Sequence, residues 1–201
     1  MLRERTRHAQ KAATRQLILD AAYQLYGERG FQIPAGEIAR AAGVAHGTVF
    51  AHFPQLADLT ICLLEQFANE LKGQLHTACQ PPHSLHSFLA AHLAVLQRHE
   101  AFYTRLISQS EQLPREARSL LVSIQSVLAL HFGQILGKRE GVPPHLLFNT
   151  WIGLLHHYLR ERDLFAPSGS VLERYGRELI SYFCVLAGGC PPTTEKELLC
   201  L

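Results

Sequence analysis

The sequence predicts an all-α fold of about nine helices, and three observations support this. Apolar residues recur at intervals of three and four through most of the 201 residues, which is the helical period. Glycines and prolines stand where these stretches end, as at Gly30, Gly43, Pro54 and Gly137. No segment alternates apolar and polar residues as a strand would. The composition, 47% hydrophobic and 18% charged, is that of a chain able to bury a core.

Residues 38–53 have the pattern of a helix-turn-helix motif. Ala39 and Ala42 are small enough to let two helices cross closely, and Gly43 stands where the first helix must end in a left-handed conformation. The apolar anchors of the second helix are Val44, Val49 and Phe53. The residues left on the outer side, where a recognition helix meets the major groove, are His46, Gly47, Thr48, Phe50 and Ala51.

Few side chains of this second helix can reach base edges. Thr48 and His46 are the candidates for hydrogen bonds, and Ala45 and Ala51 could contact thymine methyl groups. His52 could contact a phosphate, or its ring could simply pack at the helix end.

The N-terminal segment is basic. Residues 1–15 hold five cations and one carboxylate, whereas residues 16–72 carry a net charge of −3. A basic arm before a helix-turn-helix suits phosphate contact, and the predicted contacts are Arg7, Lys11 and Arg15. A solvated, frayed terminus is the alternative.

Residues 14–65 resemble the DNA-binding domain of the TetR (tetracycline-repressor-like) family. The matching elements are ILDAAYQLYGERGF, EIARAAGV and GTVFAHFP, which agree in order and spacing. The chain departs from the family pattern where Ala45-His46 replaces a Ser-Lys pair and Phe50-Ala51 replaces Tyr-His. Leu56 stands in place of a phosphate-binding lysine, so ordinary phosphate donors are lost.

The later helices follow from apolar periodicity and from the residues at their ends. A connector helix over 55–79 has an apolar residue at every fourth position: Leu59, Leu63, Phe67, Leu71 and Leu75. Further helices are predicted over about 84–99, 101–112, 115–136, 144–163 and 171–187. Ser84 is the expected N-cap of the first of these. Ser170, with Glu173 three residues later, predicts a capping box at the start of the last.

These elements divide the chain into four predicted segments. They are a basic arm (1–12), a helix-turn-helix domain (13–72), a ligand-binding and dimerisation domain (80–189) and a tail (190–201).

The helices over 144–163 and 171–187 carry more apolar surface than one core face needs, so we expect them to bury a second face in a partner. In the resembled family the last two helices of each subunit form the dimer interface. The predicted interface residues are Leu154, Leu155, Tyr158, Tyr175, Leu179, Tyr182, Phe183 and Leu186.

A ligand pocket is predicted where apolar side chains of the second domain converge with a few polar groups. Its predicted lining residues are His92, Leu96, Phe102, His131, Trp151 and Leu155. It would take a mainly hydrophobic or aromatic effector with one hydrogen-bonding group, whereas a solid core of the same residues is the alternative. No resident cofactor and no metal site are predicted.

The resemblance implies a cytoplasmic, homodimeric, DNA-binding transcriptional regulator. It would be a repressor that binds an inverted-repeat operator and responds to a small molecule. Two alternatives stay open: a DNA-binding protein without allosteric control, and a sensor of metal or redox state through His83, His86 or the cysteines.

An enzyme is not expected, because no nucleophile with its base and no glycine-rich phosphate loop can be placed. The sequence has no run of about 18 apolar residues, so a membrane-spanning helix is not expected. The first arginines are not followed by an apolar stretch, so a secretory signal is not expected either.

Overall fold

The computed structural model describes residues 2–80, 83–137 and 142–188, and within these ranges all regular structure is helical. This confirms the all-α prediction. The described helices are α1 (Leu2–Arg29), α2 (Ala35–Ala41), α3 (His46–His52), α4 (Leu56–Ala78), α5 (Leu85–Arg98), α6 (Glu100–Ser108), α7 (Arg115–Leu136), α8 (Pro144–Arg160), α9 (Arg162–Phe165) and α10 (Val171–Leu186), with a 3-10 turn at Ser110–Gln112.

The described residues contain ten helices rather than about nine, because the helix predicted over 144–163 is interrupted. Glu161 has φ −93° and ψ 29°, so α8 ends and the short α9 follows. The break allows Phe165 to fold back, and its ring stacks on that of Tyr158 with the centroids 4.2 Å apart.

The N-terminal segment is helical, which corrects the prediction of a separate arm over residues 1–12. α1 begins at Leu2 and runs unbroken to Arg29. Residues 2–17 contain no glycine or proline and are rich in alanine, arginine and glutamine, which favour helix. The apolar periodicity begins only near Leu17, and for that reason the pattern did not reveal this extension.

The chain packs as two compact units. The first comprises Met1–Ala68 with Ala101–Val122, and the second comprises Asn69–Glu100 with Ser123–Leu201. Packing thus places α6 and the start of α7 with the N-terminal helices, although they follow α5 in sequence. The boundaries of the functional domains, 13–72 and 80–189, stay a prediction.

In the first unit, α6 packs against the C-terminal end of α1. The Phe102 ring stacks on Tyr23 with the centroids 5.0 Å apart. Arg105 donates to the carbonyl oxygen of Glu28 at 2.8 Å, and Phe31 N–H donates to Gln109 Oε1 at 3.1 Å. Arg105 thus satisfies a carbonyl group that the end of α1 leaves without a helical partner, and Gln109 satisfies an amide of the segment that follows α1.

In the second unit, an aromatic cluster occupies the core. Its buried rings are Phe88, Phe132, Phe148, Trp151 and Phe183. α5 packs against α10, where Gly176 lies close to Leu93; a Cβ at Gly176 would be 3.4 Å from Leu93 Cδ1.

The N-terminus of α10 is capped by a residue distant in sequence. Ser170 Oγ accepts from Glu173 N–H at 2.9 Å, as predicted. The amides of Val171 and Leu172, however, donate to the carboxylate of Glu100 at 2.8 and 3.1 Å. The carboxylate that completes this cap is therefore the buried Glu100.

Among the described residues, α7 is the one helix whose length and composition alone would allow it to cross a membrane. The sequence pattern predicts no such segment. Ser123, Ser126 and His131 interrupt its apolar residues. Length and composition do not distinguish a spanning helix from a packing helix of a globular protein.

Candidate nucleic-acid interface

The helix-turn-helix is formed as the sequence predicts. Gly43 has φ +66°, the left-handed conformation expected at the end of α2. Val44 N–H then donates to Ala39 O at 3.0 Å and closes the turn. α2 begins after Pro34 without a side-chain cap, because proline has no side-chain hydrogen-bond acceptor. Val49 and Phe53 are buried and hold α3 in place.

The exposure of α3 follows the predicted register. His46, Gly47, Phe50 and Ala51 are exposed on one side of the helix, and we call these four residues the α3 face. Ala45, the residue before α3, is also exposed, whereas Thr48 and His52 are half-buried at the flanks. Phe50 keeps 40% of its surface exposed, and the His46 ring packs edge-on against it with the centroids 5.3 Å apart. The α3 face is therefore available to contact a partner, and none of its side chains is a lysine or arginine.

Three cations lie four residues apart on α1: Arg7, Lys11 and Arg15. Residues at this spacing share one side of a helix. Arg7 and Lys11 are exposed and could contact phosphate. We call these two residues the α1 cations. The side chains of residues 1–5 lie outside the described part of the structure.

Arg15 has a different environment. Its guanidinium lies over the Phe53 ring, 4.8 Å from the centroid, and donates to Cys62 Sγ at 3.1 Å. Arg15 is half-buried and holds α1 against the end of α3 and the start of α4. Its predicted role as a phosphate contact competes with this packing role.

The predicted ligand-binding residues are mostly core. Trp151 Nε1–H donates to His92 Nδ1 at 3.1 Å, and both side chains are buried. Burial, and then repulsion from His156 when that residue is protonated, lowers the pKa of His92 to about 4. The imidazole is thus neutral near pH 7, as its acceptor role requires. Leu96 and Leu155 are buried in the same unit.

Two members of the predicted pocket are placed elsewhere. Phe102 belongs to the first unit, where its ring packs on Tyr23 and Phe31, so it does not join the set around His92. His131 lies half-buried on α7, and its Nδ1 is 3.0 Å from Val127 O of the same helix. The apolar pattern could not assign Phe102 to a unit, because that depends on contacts with residues about 75 positions away.

The predicted dimer interface requires correction. Leu155, Leu179 and Phe183 are buried within their own chain, so they cannot cover a partner. Tyr158 and Tyr175 are half-buried: the Tyr175 hydroxyl donates to Phe165 O at 3.1 Å, and the Tyr158 ring stacks on Phe165. These two residues pack mainly within the chain.

Exposed apolar side chains nevertheless lie on α8 and on α10. Tyr182 is 63% exposed and Leu186 is 49% exposed, while Leu154 is half-buried. Val185 on α10 and Leu146 on α8, which are not among the predicted interface residues, are also exposed. Helical spacing could have identified Val185, which lies three residues after Tyr182.

In the described part of the chain, no group of three or more His, Cys, Asp or Glu side chains is arranged to hold a metal ion. Cys62, Cys79 and Cys184 are free thiols. Cys190, Cys200 and the predicted tail lie outside the described residues.

Comparison with known proteins gives a family match within the N-terminal part of the chain. Residues 18–60 match the family described as bacterial regulatory proteins, tetR family. The chain is 43% identical over 60 residues to the HTH-type transcriptional regulator AcrR of Shigella flexneri, an alignment that covers 29% of this chain and 27% of that protein. It is 26% identical over 186 residues to the fatty acid metabolism regulator protein of Bacillus subtilis, covering 82% and 94% of the two chains.

A solved structure supports the fold over most of the chain. The ketosteroid transcriptional regulator KstR2 of Mycobacterium tuberculosis aligns with a TM-score of 0.70 at 17% identity, covering 89% of this chain and 95% of that one. The similarity therefore extends beyond the helix-turn-helix to the second unit, where it concerns the fold alone.

Proposed function

We propose that this chain, which belongs to the TetR family of bacterial regulatory proteins, is a homodimeric repressor that acts in the cytoplasm. It binds an inverted-repeat DNA operator, and a small apolar effector releases it. The observation that carries the proposal is the exposure pattern of α3. Val49 in α3 and Phe53 directly after it are buried, and the α3 face is exposed in the register of a recognition helix.

In this proposal α3 enters the major groove and the α1 cations contact the sugar-phosphate backbone. Phosphate contacts fix the position of a protein on DNA, whereas contacts to base edges select the sequence. A two-fold dimer presents two copies of α3, which match successive major grooves when they lie about 34–36 Å apart.

Base reading is tested with His46→Ala and Thr48→Ala on an operator selected from a random DNA pool. Each variant should lose about 1–3 kcal/mol of operator affinity and keep its affinity for random duplex. Leu164→Ala, which truncates an exposed residue on α9, is the matched control and should bind like the wild type. An equal loss on operator and random DNA would show that these residues do not read bases.

Phosphate contact is tested by the salt dependence of binding. Residues 41–71 contain no lysine or arginine, so the α1 cations should account for much of the salt effect. Each lost phosphate contact should reduce the slope of log affinity against log salt by about 0.9. Arg7→Ala and Lys11→Ala should each show this reduction, and Lys72→Ala on α4 should not. Unchanged slopes in both α1 variants would exclude the contact.

The effector class is proposed from the core of the second unit. His92 and Trp151 are a polar pair within an apolar core, and an apolar molecule with one hydrogen-bonding group could take the place of one partner. Two of the similar proteins are named for fatty acid metabolism and for ketosteroids, which are molecules of this kind.

The effector proposal is tested by thermal unfolding of the protein in the presence of saturated fatty acids or of steroids, with tryptophan fluorescence as the signal. Trp151 is the only tryptophan of the chain, so a ligand near His92 should change its emission and raise the melting temperature. The same compound should weaken operator binding. Compounds that alter neither the emission nor the melting temperature nor the operator affinity would exclude both classes.

A further inference from the structure

The α3 face lacks the side chains that usually read purines. Arginine or lysine reads guanine, and asparagine or glutamine reads adenine, through paired hydrogen bonds in the major groove. The α3 face offers instead the rings of His46 and Phe50, the Cα of Gly47 and the methyl group of Ala51.

Phe50 is the largest apolar group on this face. Its neighbours Val49 and Phe53 are buried, so the backbone of α3 is fixed by the core while the Phe50 ring stays outside. The edge contact with the His46 ring limits the directions in which Phe50 can lie. The Phe50 ring keeps 40% of its surface exposed on the α3 face, so it can make an apolar contact with a molecule that this face binds.

The major groove presents one apolar group, the C5-methyl of thymine. We propose that Phe50 reads thymine in the operator half-site through this methyl group, with the Ala51 methyl extending the contact. His46 then supplies a single hydrogen bond beside it. This inference rests on the proposed DNA-binding function and adds to it the base that the recognition helix selects.

The test begins with an operator selected from a random pool by the full-length protein. Each thymine of the half-site is then replaced in turn by deoxyuridine, which lacks only the C5-methyl group. Burial of one methyl-sized group changes an affinity about fourfold, so one or two replacements should weaken wild-type binding by about this factor.

Two protein variants separate the role of the ring from general damage. Phe50→Ala should bind the thymine and deoxyuridine operators equally, whereas Phe50→Tyr keeps the ring and should keep the preference for thymine. Leu164→Ala is the control for loss of an exposed apolar side chain and should behave like the wild type. A second DNA, with 5-methylcytosine at the sensitive position, should bind better than the same DNA with cytosine.

The outcomes distinguish this inference from the proposed function. If the pool yields an operator but wild-type binding is insensitive to deoxyuridine, the thymine contact is wrong and the regulator proposal stands. If Phe50→Ala keeps the full sensitivity, another residue reads the methyl group and the assignment to Phe50 fails. If no sequence is enriched, the proposed function itself fails. The measurements on the wild type need no variant to fold.

Discussion

The hydrogen bond between Trp151 and His92 defines the chemistry of the second core at the scale of single residues. A buried imidazole nitrogen that accepts a hydrogen bond from the indole N–H must be unprotonated, and burial lowers the pKa of His92 to about 4. Burial also lowers the pKa of His156 to about 4. Two neutral histidines in one unit make its folding sensitive to acid.

We predict that the free energy of unfolding is steady above about pH 7 and falls as the pH drops through 6.5 towards 4. The unfolded histidine, with its ordinary pKa near 6.5, binds a proton in this range while the folded one does not, so acid favours unfolding. For His92 the difference corresponds to about 3 kcal/mol. Urea denaturation at a series of pH values measures it. His92→Phe should have a flatter profile over this range, and an equally steep one would assign the effect to other groups.

Two glycines with positive φ provide a matched pair of substitutions. Gly43→Ala has open space around its new Cβ and should cost about 1–2 kcal/mol through the left-handed backbone alone. Gly30→Ala should cost more, because its Cβ would lie 2.3 Å from Gln109 Oε1, which accepts from Phe31 N–H. Thermal unfolding measures both values. The extra cost should disappear when Gln109 is also changed to alanine; if it persists, the overlap is not its cause.

At the scale of elements, the sequence was sufficient wherever an element is specified by its own residues. The connector stripe Leu59 to Leu75 is buried at every predicted position in α4. The Ser84 cap of α5 and the end of α2 at Gly43 are also confirmed. Periodicity and capping are local properties of the chain, so they can be predicted without knowledge of the packing.

What escaped prediction depends on long-range contacts. Glu100 caps α10 from 71 residues away, and Arg105 bonds the end of α1 from 77 residues away. No local pattern marks either residue. The same reason explains why Leu155 and Leu179 were assigned to an outer face: periodicity gives the apolar side of a helix but not its neighbour.

Glu100→Ala should destabilise the protein by about 2–4 kcal/mol. It leaves the amides of Val171 and Leu172 buried without acceptors and removes a negative charge from a helix N-terminus. Chemical denaturation measures the loss. Glu173→Ala is the control, because its exposed side chain should contribute little. A larger effect at Glu173 would mean that the local capping box, and not Glu100, stabilises α10.

At the scale of the whole molecule, we propose that the exposed apolar side chains of α8 and α10 lie where the two chains of the proposed dimer meet. Tyr182→Glu and Leu186→Glu should give folded monomers, since each places a carboxylate in an apolar contact. Sedimentation velocity gives the oligomeric state and circular dichroism the fold. Leu164→Glu, on the exposed α9, should remain dimeric.

Leu179→Glu should behave differently from the surface variants. Leu179 is buried in its own chain, so the charge should unfold the subunit rather than separate two subunits. Normal dimers of Tyr182→Glu and Leu186→Glu would place the interface elsewhere.

The way α6 completes the first unit has a consequence for engineering chimeric regulators. A module exchanged as one contiguous piece over residues 1–68 would leave Arg105 and Gln109 behind, in a host whose α1 differs. Such a hybrid would join mismatched surfaces even with its recognition helix intact. A chimera that joins the DNA-binding unit of one regulator to the second unit of another should therefore fold more often when residues 101–122 are exchanged together with residues 1–68. The exchanged unit then consists of two separate segments of the chain.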